Sequence, residues 1–127
     1  MGILLKGVPR TRHRTRRLTM AETFKNAKKV LTDTVSDVYT VPAGTTAIII
    51  GCQFTNVDTV ARNLTFSWSD ASDSNTETYL ADVIVIPTAA SYEPIGGKLI
   101  LEAGDKLRGF GSTTATLEVT VSVLELS

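Results

Sequence analysis

The sequence predicts an all-β domain, an antiparallel β-sandwich of the jelly-roll or Ig-like class, carrying a basic, non-globular N-terminal arm. Three observations predict it. Beyond residue 26, about eight short β-rich runs are punctuated by Gly and Pro turns. No amphipathic run long enough for a helix interrupts them. The charge is also divided along the chain. Residues 1–29 hold nine basic residues and one acid, Glu22, a net +8. Residues 30–127 hold four basic residues and twelve acids, a net −8, so the overall zero is a cancellation. With 127 residues there is chain for one ordinary core and no second one. The domain reading is therefore an extended basic arm over 1–26 and a β-sandwich over 27–127.

The β pattern starts with Val30-Leu31-Thr32 and Asp37-Val38-Tyr39-Thr40-Val41. Pro42-Ala43-Gly44-Thr45 places Pro and Gly where a tight reversal wants them. Thr46–Phe54 follows, and its Ile48-Ile49-Ile50 run suits a strand buried on both faces. Asn63–Ser69 alternates, sending Leu64, Phe66 and Trp68 one way and Asn63, Thr65 and Ser67 the other. A polar loop, Ser69 to Asn75, precedes a long strand, Thr76–Ile86, which Pro87 ends. Gly96-Gly97 introduces Lys98–Leu101, and Ala103-Gly104-Asp105 turns the chain into Lys106–Phe110. Gly111-Ser112-Thr113-Thr114 turns again. Ala115–Leu126 then alternates, with Leu117, Val119, Val121, Val123 and Glu125 on one side.

Composition narrows the chemistry. The only histidine, His13, lies among arginines of the arm, so neither a Ser-His-Asp nor a Cys-His arrangement is expected. The single cysteine, Cys52, excludes an intrachain disulfide and a Cys-rich zinc site, and its Ile-rich strand marks it as a small core residue. Asp70, Asp73, Asn75 and Glu77 carry oxygen ligands but lack the spacing and the Gly of an EF-hand loop, and read as a solvated hairpin. Trp68 reads as a core anchor. Asn63-Leu64-Thr65 matches a glycosylation sequon without a secretory context to give it meaning. Apolar runs such as Ala47–Ile50 are far short of a membrane span. Ile3-Leu4-Leu5 is too short for a secretory core and precedes its basic residues instead of following them. No catalytic residue, cofactor, metal or membrane contact is expected.

The arm carries the functional signal. Arg10, Arg12, Arg14, Arg16 and Arg17, with His13 among them, are too charged to fold alone and bind phosphate or carboxylate through charge-assisted hydrogen bonds. They are the candidate partner-binding residues. The arm has no aromatic side chain to stack on a base, and the acidic body repels phosphate, so an acidic protein surface is favoured over nucleic acid. Met20 offers a second translation start, which would remove this segment.

Phe24-Lys25-Asn26-Ala27-Lys28-Lys29, Tyr39–Ala47 (Tyr-Thr-Val-Pro-Ala-Gly-Thr-Thr-Ala), Gly97–Leu107 and the ending Thr120–Glu125 together resemble a group of small virion proteins of tailed bacteriophages. The resemblance covers residues 20–127 and rests on turn-and-strand phrases. It implies a compact β-sandwich subunit that joins the particle as a decoration, neck or tail accessory protein, multimeric and often trimeric. The basic residues 1–19 depart from that pattern. Together these readings give a non-enzymatic virion structural protein that multimerises through its sandwich and anchors to another virion protein through its arm. Two alternatives stand beside it. One is a receptor- or glycan-binding module of a phage fibre using Trp68, Tyr79 or Tyr92. The other is a nucleic-acid-associated protein acting through the arm.

Overall fold

The computed structural model describes residues 21–127. Residues 1–20, and with them Arg10, Arg12, Arg14, Arg16 and Arg17, lie outside the described residues. The strands are β1 (Glu22–Val30), β2 (Ser36–Thr40), β3 (Thr46–Asn56), β4 (Arg62–Asp70), β5 (Thr76–Ile86), β6 (Ser91–Tyr92), β7 (Leu99–Leu101), β8 (Lys106–Gly111) and β9 (Leu117–Leu126). A 3-10 turn, Ala71–Asp73, is the one helical piece among the described residues.

Every strand pairing is antiparallel. β1 lies against β9, β2 against β8, β3 against β6 and β7, and β4 against β5. The chain thus doubles back on itself around the β4–β5 connection, and the resulting pairs roll up into two sheets. The first sheet has the order β1-β9-β3-β6, with β7 sharing the β6 edge, and the second β2-β8-β4-β5. Every connection crosses from one sheet to the other except β4–β5, within the second sheet, and β6–β7, within the first. That rolled order decides between the two predicted classes: the sandwich is a jelly roll.

The core lies between the sheets. Leu117, Val119, Val121 and Val123 of β9 point inward, as their alternation predicts. Phe54 of β3 and Phe66 of β4 meet edge to face across the core, ring centroids 4.7 Å apart. Gly109 is required where it stands, because a Cβ there would come within 3.1 Å of both the Phe66 ring and the Thr65 carbonyl oxygen. Buried Asn56 donates to the carbonyls of Val60 and Ile86 and accepts from the Asp58 N–H, which satisfies its amide inside the sandwich.

Two turns of the same build hold one end of the molecule. In Pro42–Thr45 and Glu102–Asp105 the fourth N–H donates to the first carbonyl, and the third residue is a glycine with φ of 70° and 87°. The Val41 N–H donates to the Asp105 carbonyl and the Gly104 N–H to the Val41 carbonyl, joining the turns. The Asp105 carboxylate, buried, accepts from the Ala71 and Glu102 N–H groups. The polar loop at 69–75 is therefore stitched to this end, with the Asp70 side chain accepting from the Ser72 N–H.

Two elements differ from the sequence reading. β1 starts at Glu22, inside the stretch read as arm, because residues 22–30 pair in unbroken register with β9. The Ile48-Ile49-Ile50 run is buried on one face only: Ile49 is buried, whereas Ile50 is 43% exposed. No described element covers the outer face of the first sheet.

Candidate assembly surface

That uncovered face carries a row of apolar side chains. Phe24 of β1 stands opposite Leu124 of β9, Leu124 opposite Ile48 of β3, and Ile48 opposite Ile100 of β7. Four strands thus contribute one apolar residue each to a line across the sheet. Phe24 is 72% and Ile100 65% exposed, and Ile50 adds to the patch beside them. Toward the other end the same face turns polar, with Lys28, Thr120 and Gln53 in register. Exposed apolar side chains gathered in a row and bordered by polar ones are the usual material of an interaction surface, which makes this face the candidate assembly surface.

The outer face of the second sheet is different. Arg108 of β8 lies between two carboxylates, 2.9 Å from Asp37 and 3.6 Å from Glu77. Ser67 donates to Glu77 at 2.8 Å, and Lys106 sits 3.8 Å from Asp37. These charges pair along the sheet in water, each contact contributing about 0–1 kcal/mol. A shallow depression among Thr65, Tyr79, Arg108 and Phe110 holds ≈ 120 Å³, below the roughly 300 Å³ of a small-molecule site.

Between the sheets, one ionic cluster anchors β1. The Lys25 ammonium lies 2.9 Å from the Glu125 carboxylate, whose second oxygen accepts from the Tyr39 hydroxyl of β2. Glu125 is the alternating residue of β9 that points into the sandwich, and it is buried. The hydrogen bonds from Lys25 and Tyr39 hold its carboxyl below the ordinary range. Burial, reinforced by the bond to Glu125, pushes the Tyr39 phenol up. Burial likewise raises the Cys52 thiol to about 12, which disfavours its nucleophilic thiolate form in the folded state.

The arm arginines lie outside the described residues; at the first described residue, the Ala21 N–H donates to the Ser127 carbonyl, and the Ser127 N–H donates back. Ala21 thus extends the β1–β9 ladder by one pair, three residues along the strand from Phe24 of the apolar row. Trp68, Tyr79 and Tyr92 do not share a groove. Trp68 packs on the core edge of the second sheet, Tyr79 stands 62% exposed near its outer charges, and Tyr92 belongs to β6 opposite Phe54. Asp70 is spent on its own turn, and among the described residues no three His, Cys, Asp or Glu side chains gather at metal-binding distance. No described helix is long and apolar enough to cross a membrane. The apolar row escaped the sequence reading because its members become neighbours only through register.

No protein-family model matches the chain, and no curated protein matches it by sequence. Solved structures do match its fold. A chain from the disulfide-linked pili that form Bacillus endospore appendages aligns with 86% of this chain and 88% of its own, at 14% identity and a TM-score of 0.55. A chain of the acid-stable capsid of Helicobacter pylori bacteriophage KHP30 aligns over 86% and 92%, at 10% identity and a TM-score of 0.51. A chain of the T13 particle of infectious bursal disease virus (IBDV) aligns with 83% of this chain at 7% identity and a TM-score of 0.52. This protein spans 30% of that chain. The fold is thus one that viral capsids and a bacterial pilus share.

Proposed function

We propose that this protein is a non-enzymatic structural component of a tailed-phage particle. Its sandwich multimerises, and its basic segment anchors it to an acidic surface of another virion protein, as a decoration, neck or tail accessory subunit. The observation that carries this reading is the join between two unlike parts. Residues 21–127 form a jelly roll of net charge −6 with an uncovered apolar row. Residues 1–20, net +6, precede Ala21, which pairs with Ser127 three residues along β1 from Phe24 of that row. A fold shared with a phage capsid chain, and the resemblance of residues 20–127 to small phage virion proteins, support the particle as its place. We keep residues 1–26 as the attachment segment, with residues 22–26 also serving as the start of β1, and the trimer implied by the resemblance as the expected unit.

Deletion of residues 1–19 is the test. The truncated chain is expected to fold and to lose incorporation into particles, because the arginines go and β1 stays. Unchanged incorporation overturns the anchoring role. Salt-sensitive binding of the full chain to DNA, lost on deletion, is the outcome that moves the arm's target to nucleic acid.

A further inference from the structure

We propose that β1 is a self-pairing edge: two copies of this chain join β1 to β1 antiparallel across a two-fold axis, with Lys25 at the axis. This deepens the multimerisation proposed above and rests on it, and it names the strand and register involved. The free side of β1 presents alternate N–H and C=O groups without a partner among the described residues. Its nine residues run beside β9 without a register break, so this edge is straight enough to accept another strand.

The register follows from side-chain facing. Glu22, Phe24, Asn26 and Lys28 pair with the outward residues Leu126, Leu124, Ser122 and Thr120, so all four point outward. A one-residue slip would face outward positions of one copy with core-side positions of the other. With Lys25 at the axis, Glu22 of each copy stands opposite Lys28 of the other, two opposite-charge pairs in one ladder. Phe24 stands opposite Asn26 and diagonal to the second Phe24, within reach of an aromatic ring. The two apolar rows then meet at the seam with an offset of two residues, joined by the diagonal Phe24 pair. Slipping the ladder by two residues places Glu22 opposite Val30 or opposite Asn26, and the charge pairs vanish. The two Lys25 side chains meet at the axis on the core side, each already paired with its own Glu125. Lys29 falls opposite Ala21 and is the one lysine of β1 that the contact leaves without a carboxylate.

A single strand edge buries less than the roughly 800 Å² per partner of a standard interface, so the contact is weak between free chains and gains from multivalency in an assembly. It closes at two copies, and in a trimeric assembly it links neighbouring trimers.

Charge exchange tests it on the full chain. The protein at up to about 1 mM, where so small a contact is populated, is expected to sediment as its free unit together with a species of twice that copy number, two from one or six from three. Glu22→Lys and Lys28→Glu each put like charges opposite one another twice. Each alone is expected to weaken self-association by about tenfold or more. Mixing the two variants restores opposite charges at both positions, so a mixed pair is expected to return in native mass spectrometry. All the side chains changed are on the exposed strand, and unchanged thermal unfolding confirms that each variant folds. Odd-numbered species only, or self-association that ignores both substitutions and the mixture, overturns the proposal. Neither result touches arm-dependent incorporation, which residues 1–19 test separately.

Discussion

The two long edges of the sandwich, β1 and β5, are built in opposite ways. β1 pairs with β9 residue for residue over its nine positions. β5 breaks register with β4 twice, and at one break Asp82 and Val83 together face Thr65. Val83 there takes a φ of +54°, a left-handed conformation that a β-branched residue adopts only at a cost. A bulge bends and twists an edge so that a flat strand cannot add to it. β5, with exposed Tyr79, Val83 and Val85, would otherwise be an aggregation-prone edge. The chain thus strains one edge shut and leaves the other regular, guarding it with lysines in place of a bulge.

β1 itself is held in place through Glu125, and removing that carboxylate has the largest expected effect. Glu125→Gln leaves Lys25 without its carboxylate and replaces the charged acceptor of the Tyr39 hydroxyl, in a network that ties β1 to β9 and across to β2. Breaking such a buried, hydrogen-bonded group costs about 2 kcal/mol in chemical denaturation at neutral pH. The pH dependence has a definite sign. A carboxyl held below its ordinary range contributes stability that is fully present above the unfolded pKa and is lost as pH falls through the folded one. The gap between wild type and variant should therefore close on acidification below the ordinary carboxylate range. A gap that persists at low pH would show that packing, not charge, holds β1.

The closed edge responds in the other direction. Val83→Gly removes a Cβ from a left-handed position at the modest entropic cost of glycine. We expect the variant to be more stable by about 1 kcal/mol, raising the melting temperature by about 4 °C for a body of this size. A destabilised Val83→Gly would mean that the valine side chain, 57% exposed, packs usefully against something on this edge.

The sequence made β4 and β9 legible because each has one face in the core: Leu64, Phe66 and Trp68 alternate, as do Leu117 to Glu125. Even the placement of Glu125 with the core-facing valines was readable by parity. β1 was hidden for the same physical reason turned around. Its core-side positions are Thr23, Lys25, Ala27 and Lys29, so period-two hydrophobicity is absent and Lys-rich composition reads as arm. The Ile48–Ile50 run gave a strand but not its exposure, because an apolar outer face looks, in composition, like a buried one. Phe24, Ile48, Ile100 and Leu124 are scattered over a hundred positions, and register alone gathers them. The arm's charge was plain from composition. The target proposed for it, an acidic surface of another protein, is not written in its own residues.

The smallest expected effect on the folded chain separates the edges most sharply. Phe24 and Val85 are both outward residues of edge strands, 72% and 60% exposed. Replacing either by serine removes little buried area, so each variant should stay within about 0.5 kcal/mol of wild type. Their effects on association should part. Phe24→Ser takes out the ring that meets its copy across the axis and interrupts the apolar row at its outer end, so concentration-dependent sedimentation should fall away. Val85→Ser lies beyond the β5 bulge on an edge that accepts no strand, so association should stay at the wild-type level. Equal losses in the two variants would mean that exposed apolar area of any kind drives the contact. A loss confined to Phe24→Ser means that the regular edge, with its row and its charge register, is what the copies recognise.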